Sequence, residues 1–241
     1  MDRQQEILRE LGLLPLWRRR DRVSEKRADD ASAAPSNDGA VFSREAQINT
    51  LSWEALPQHV AACRACGLCD SRQQAVPGVG QATATWLVVG EAPGAEEDRQ
   101  GEPFVGQAGK LLDNMLAAIG LKRGEAVFIA NVLKCRPPGN RNPAPEEVAA
   151  CRPYLERQIM LLRPKLILAL GRFAALTLLD TDASIASLRG RVHQRQGFPL
   201  VVTYHPAYLL RNLPDKAKAW EDLCLAREAY RNLSGESGAP T

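Results

Sequence analysis

Trp86-Leu87-Val88-Val89-Gly90-Glu91-Ala92-Pro93-Gly94 opens on four apolar residues, breaks at a glycine and passes at once into a polar, proline-containing loop. A run so short and so uniformly apolar reads as a strand covered on both faces, the habit of parallel sheets. The same figure recurs at 127–132, 166–170 and 200–203, each rich in branched residues and each ending in a polar or glycine-bearing loop. Helix-like segments alternate with these runs. Apolar residues at helical spacing fill 106–119 ahead of Gly120, and Pro145-Glu146-Glu147 opens a helix that reaches about residue 162, before Arg163-Pro164. Segments 172–179 and 214–233 supply two more helices. This βα alternation predicts an α/β fold: a three-layer α/β/α sandwich with a central four-stranded, mainly parallel sheet. Ligands of such sheets collect in the crevice at the carboxyl ends of the strands. Here those ends deliver Gly90-Glu91-Ala92-Pro93-Gly94, Asn131, Gly171 and His205-Pro206, so a carboxylate, an amide and an imidazole are expected in one crevice.

Outward from this core the chain changes character. Residues 1–13 suit one short amphipathic helix, and 18–39 is charged and rich in Ala, Ser and Asp. Residues 1–50 are therefore expected to be a disordered or partly helical tail, 51–235 the folded domain, and 236–241 a disordered C-terminus. Leu11, Leu13, Leu14, Leu16 and Trp17 ahead of Arg18, Arg19 and Arg20 form an apolar plug followed by cations. That pattern fits a helix folded back on the domain and a docking peptide for a protein partner equally well.

A chain of 241 residues that is 45% hydrophobic supports one sizeable domain with an appendage. The formal charge of +3 leaves room for a basic face without announcing a nucleic-acid partner. No apolar run nears the roughly 18 residues of a membrane span, and no secretory signal opens the chain, so a cytoplasmic monomer with no membrane partner is expected. In that reducing compartment the six cysteines point to a metal or redox role and away from disulfides. Cys63-Arg64-Ala65-Cys66 has metal-ligand spacing, and Cys69 extends it. Spacing alone allows zinc or iron-sulfur. Cys224, among Leu223, Leu225 and Ala226, reads as a small buried hydrophobe.

Four blocks of sequence carry a resemblance: the loop from Gly90 to Asp98, Gly101-Glu102-Pro103-Phe104-Val105-Gly106-Gln107-Ala108-Gly109, Asn131-Val132-Leu133-Lys134-Cys135-Arg136-Pro137-Pro138, and His205-Pro206-Ala207-Tyr208-Leu209-Leu210-Arg211. In order and content they resemble the family 4 uracil-DNA glycosylases, over a stretch running from about Cys63 to about Trp220. The family 5 enzymes lack the carboxylate that Glu91 supplies. Relatives that bond covalently to uracil carry a basic, His-containing insertion near Lys134, whereas this chain runs straight from Cys135 to the next helix.

The resemblance implies hydrolysis of the N-glycosidic bond of uracil flipped out of double- or single-stranded DNA. Glu91 would position or activate water, with Glu97 in support. His205 would donate to a uracil oxygen, Asn131 would read the polar edge of the base, and Phe104 would stack on it, with Ala92 also touching the base. Leu209 or Leu210 would wedge into the base stack and Arg211 would meet a phosphate, while the basic run 189–195 could track the backbone. A 4Fe-4S cluster is implied on Cys63, Cys66, Cys135 and Cys151, as a structural clamp on the N-terminal loop, with Cys69 spare. Two other functions are compatible with parts of the pattern: a damage-binding module without catalysis, and a hydrolase of free nucleosides. Glu91, Asn131 and His205 together argue against the first, and the leucines after His205 against the second.

Overall fold

The computed structural model describes residues 43–234, so the expected tail up to residue 42 and the C-terminal residues from 235 lie outside it. In chain order the elements are α1 (Arg44–Thr50), α2 (Ala55–Ala62), α3 (Leu68–Ser71), β1 (Trp86–Gly90), α4 (Ala95–Gln100), α5 (Gln107–Ala118), β2 (Val127–Asn131), a 3-10 turn (Pro138–Asn140) and α6 (Pro145–Leu162). There follow β3 (Leu166–Leu170), α7 (Arg172–Leu179), α8 (Ile185–Leu188), β4 (Val192–Arg195), β5 (Phe198–Thr203), α9 (Pro206–Leu209) and α10 (Asp215–Ser234).

The sheet runs β2-β1-β3-β5-β4. The four apolar strands pair in parallel, β1 with β2 and β3, and β3 with β5. The fifth strand, β4, joins antiparallel at the edge. The sandwich stands as expected, and the sheet has one strand more than expected. Its β4 alternates between exposed and half-buried residues. Three of its four residues, His193, Gln194 and Arg195, are polar, so it reads as a basic run and not as a buried strand.

Successive strand residues feed opposite faces, as the two-residue period of a strand requires. Leu87, Val89, Ile167, Ala169, Leu200 and Val202 pack toward Ile48, Leu56, Tyr154, Ile159 and Leu178, contributed by α1, α2, α6 and α7. Trp86, Val88, Leu166, Leu168 and Val201 pack toward Leu112, Leu116, Leu223 and Ala226 of α5 and α10. Helices therefore cover both faces. The folded domain also starts earlier than residue 51. Helix α1 is capped by the Ser43 side chain and carries a fully buried Ile48, and Arg44 donates to the Ala150 carbonyl at 2.9 Å. No described helix is long and apolar enough to cross a membrane.

From β1 the chain steps outward to β2 on one side and then returns to β3 on the other. The carboxyl ends of β1 and β3 thus flank the point where strand order reverses, the place where an open α/β sheet leaves a crevice.

Candidate active site

A cleft of about 690 Å³ opens at that point, and Glu91, Ala92, Glu97, Phe104, Asn131, His205 and Arg211 all line it. The three strand-end groups expected to meet do so. Gly90 and Asn131 are register partners across β1 and β2. A Cβ on Gly90 would stand 2.5 Å from Phe104 Cζ and closer still to Asn131 Oδ1, so only glycine leaves both side chains their places.

Asn131 is 2% exposed, and its Oδ1 is buried without a hydrogen-bond partner. An orphaned acceptor of this kind is costly unless something donates to it. Phe104 holds a left-handed backbone (φ 56) in a loop whose carbonyls are pinned by Arg123, at 2.8 Å to Pro103 O and 2.8 Å to Phe104 O. The ring is buried, with its centroid 5.5 Å from that of His205 at an interplanar angle of 30°.

His205 follows β5 as the N-cap of α9, and its Nδ1 accepts from Ala207 N at 3.1 Å. A ring nitrogen that accepts carries no proton, so the neutral ring bears its hydrogen on Nε2. Burial, seconded by the charge of Arg211, pulls the imidazole down to about 4, with Glu97 opposing. At neutral pH the side chain is an uncharged donor. Gly171, with φ +86 at the end of β3, makes room for it, since a Cβ there would lie 2.8 Å from His205 Cβ.

The Glu91 carboxylate makes no hydrogen bond or ion pair with any described residue, and burial alone raises it above the ordinary value. It is free to hold water. Glu97 is placed differently from the supporting catalytic part expected of it. Its Oε2 accepts from Gly94 N at 3.1 Å, and its Oε1 from Val105 N at 3.1 Å and Gly106 N at 3.3 Å. Both oxygens accept from backbone amides, and the side chain ties the loop after β1 to the loop bearing Phe104.

The two leucines separate. Leu209 is 1% exposed and belongs to the core beside α10, which corrects its reading as a DNA wedge, whereas Leu210 is 43% exposed. Consecutive residues of a short helix point about 100° apart, and one of the pair falls inside. Arg211 is exposed at the mouth of the cleft. Much of the basic run is spoken for: Arg189 pairs with Asp222 at 2.6 Å and lies 4.6 Å over the Tyr204 ring, and Arg195 bonds Glu156 and Asp180. Sequence reasoning missed Tyr204, Phe173, Arg172 and Asn140 on the cleft wall. None carried a motif of its own, although Asn140 sits in the Pro-Gly-Asn turn two residues beyond a quoted block.

Cys63, Cys66, Cys69, Cys135 and Cys151 line a second, smaller pocket under α2 and α6. Thus the loop after α2, the loop after β2 and the middle of α6 meet at sulfur. Two guanidiniums and one backbone amide reach its sulfurs: Arg72 Nη1 donates to Cys135 Sγ at 2.8 Å, Arg44 Nη2 to Cys63 Sγ at 3.4 Å, and the Lys134 backbone N–H to Cys151 Sγ at 3.3 Å. Burial pushes the Cys151 thiol up to about 11, so a thiolate there calls for a bound cation. Burial likewise pulls the Lys134 ammonium down to about 8, with the sulfurs of Cys151 and Cys135 holding it up. Among the described residues no three His, Cys, Asp or Glu side chains are set to hold a single ion. Cys69 shares the pocket wall and turns its Sγ to Asp70 Oδ1 at 3.4 Å. Cys224 is half-buried in α10, short of the buried hydrophobe expected.

Fold and strand-end groups define the class: the chain belongs to the uracil DNA glycosylase superfamily, whose profile matches residues 77–224. Within that superfamily it stands with the type-4 members. A type-4 uracil-DNA glycosylase of Archaeoglobus fulgidus is 47% identical over 167 residues, covering 66% of this chain and 83% of that one. One from Sulfurisphaera tokodaii is 43% identical over 180 residues, 71% of this chain and 81% of its own. A type-5 uracil-DNA glycosylase of Pyrobaculum aerophilum is more distant, at 33% identity over 150 residues, 56% of this chain and 66% of that one.

Proposed function

We propose that this chain excises uracil from DNA by hydrolysis, the first step of base excision repair, and that the cleft at the β1–β3 switch point is where it does so. The observation that carries the reading is the buried, unpartnered Oδ1 of Asn131 facing a cleft shared with an unpartnered carboxylate and a neutral Nε2–H donor. Uracil meets that pattern. Its N3–H donates to Oδ1, its O4 accepts from the Asn131 amide, and its O2 accepts from His205 Nε2. Cytosine has no N3–H and would leave Oδ1 orphaned, at a cost of about 1–3 kcal/mol.

The bond from the deoxyribose C1′ to N1 breaks with its electron pair leaving on the uracil. The hydrogen bond from His205 stabilises the resulting anion, and a donor so placed is worth about 3 kcal/mol of barrier. Glu91 faces the sugar cation and orients the water whose oxygen bonds to C1′. The proton released passes to the Glu91 carboxylate and then to solvent. Phe104 stacks on the extruded base irrespective of its identity. Leu210 fills the vacated stack, and Arg211 at the cleft mouth meets a phosphate.

Cys63, Cys66, Cys135 and Cys151 would hold a 4Fe-4S cluster, which supplies no step of the hydrolysis and fastens the loop after α2 to α6. Its all-sulfur donor set and the basic residues around it support that assignment.

The test is release of free uracil from labelled oligonucleotides bearing uracil opposite guanine, opposite adenine and in single strands, with free deoxyuridine beside them and iron and zinc determined on the same preparation. Uracil release from DNA, with deoxyuridine a poor substrate and iron exceeding zinc, is the expected result. A protein that binds such DNA and leaves its glycosidic bonds intact would return the reading to a damage-binding module.

A further inference from the structure

Lys134 carries its ammonium into the interior, where it is 1% exposed and makes no ion pair with a described carboxylate. Burying a cation in this way is expensive, and an apolar side chain of equal length would fill the space at no such cost. What the ammonium does there is specific. Its Nζ donates to Asn131 O at 2.8 Å and to Gln158 Oε1 at 2.6 Å, and Gln158 Nε2 is itself anchored to Pro77 O at 2.7 Å. The peptide plane after Asn131 is thereby held from both sides, since Val132 N donates to Gly90 O at 3.0 Å. The next amide, Leu133 N, reaches Glu91 O at 3.0 Å.

We propose that Lys134 is a positioning residue for base recognition, fixing the Asn131 carbonyl and with it the aim of the Asn131 amide into the cleft. The proposal rests on the reading of the cleft given above. A strand-final carbonyl left without a partner would let the residue turn, and the reader of the base would turn with it. Because the Lys134 amide also donates to Cys151 Sγ, one residue spans the wall between the sulfur pocket and the base pocket.

The test is a double-mutant cycle in the iron-loaded full chain, read on inhibition by free uracil and on single-turnover excision. Lys134→Met should weaken inhibition by free uracil about tenfold, the loss of one hydrogen bond from a charged donor. Placed on an Asn131→Ala background it should weaken inhibition no further, with iron content and visible absorption at the wild-type level. If Lys134→Met does not accumulate as folded protein, Gln158→Leu, which removes the second anchor of the ammonium, goes through the same cycle with the same expectation. Losses that multiply independently, or inhibition untouched by Lys134→Met, overturn the proposal and leave the glycosylase reading standing. Iron lost from a folded Lys134→Met assigns the residue to the sulfur pocket alone and overturns it too. A wild-type chain that releases no uracil removes both.

Discussion

Replacing Gly90 with alanine adds one methyl group where there is no room for it. The new Cβ would sit 2.5 Å from Phe104 Cζ and closer to Asn131 Oδ1, roughly 1 Å inside ordinary contact on two sides at once. Neither neighbour is the loose end of a flexible chain: Asn131 is 2% exposed and Phe104 6%. Both must shift, and both are assigned to the base. Overpacking of this kind costs about 1–3 kcal/mol of stability. For a domain of this size that lowers the melting temperature by a few degrees, about 2–4 °C per kcal/mol, and leaves the protein folded at 25 °C. A misplacement near 1 Å at a reacting site costs about 100-fold in rate. Gly90→Ala is therefore expected to melt slightly early, bind an abasic-site oligonucleotide as the wild type does, and lose about two decades in single-turnover uracil release. Full activity in a Gly90→Ala protein would refute the claim that Asn131 and Phe104 must sit where they do, and an unfolded variant would show that the crowding acts on the core instead.

Other substitutions separate roles that the cleft brings together. The proposed mechanism uses an ionised Glu91, whose carboxyl burial raises, and an uncharged His205, which burial pulls down to about 4, so at neutral pH both stand in the required state and activity should fall on the acid side as Glu91 takes up a proton. The acid limb of kcat/KM should vanish in Glu91→Gln and persist in His205→Asn, whereas a wild-type limb centred near the ordinary histidine value would show His205 titrating freely. Leu210→Ala should slow excision from duplex DNA more than from single strands, while Leu209→Ala should cost about 2–5 kcal/mol of stability by leaving a core cavity, read by denaturant melts; equal duplex defects in the two would undo their separation. Cys135→Ser should bleach the visible absorption and lower the melting temperature. Removing residues 1–41 should leave iron content and excision intact, but removing 1–50 strips the buried Ile48 and the Arg44 contact to Cys63 and should lower both.

The buried strands and their ends were readable because burial on both faces writes itself as unbroken Val, Leu and Ile, and because a parallel sheet sends its strand ends to one side. Glu91, Asn131 and His205 were legible as a set for that reason. Strand β4 was not, since its consecutive polar residues His193, Gln194 and Arg195 look the same in an exposed loop. Nor could the sequence separate Leu209 from Leu210, because neighbouring leucines differ only in the direction a helix turns them. Glu97 was expected in a supporting role beside Glu91, and only the positions of three backbone amides reveal that its carboxylate holds two loops together. Arg44 and Arg72 had no signal at all, as each reaches its cysteine partner, Cys63 and Cys135, only through the fold.

The bridging carboxylate of Glu97 has a consequence for how selectivity is achieved. Because it ties the loop after β1 to the loop that carries the aromatic ring, the two walls are expected to move together, and under the proposed mechanism a base one methyl group too wide should meet a stiff frame where a hinged one would have given way. Discrimination built like that is decided at entry, by an aperture of set width, and should respond to changes in bulk at the frame more sharply than to changes in charge around its rim.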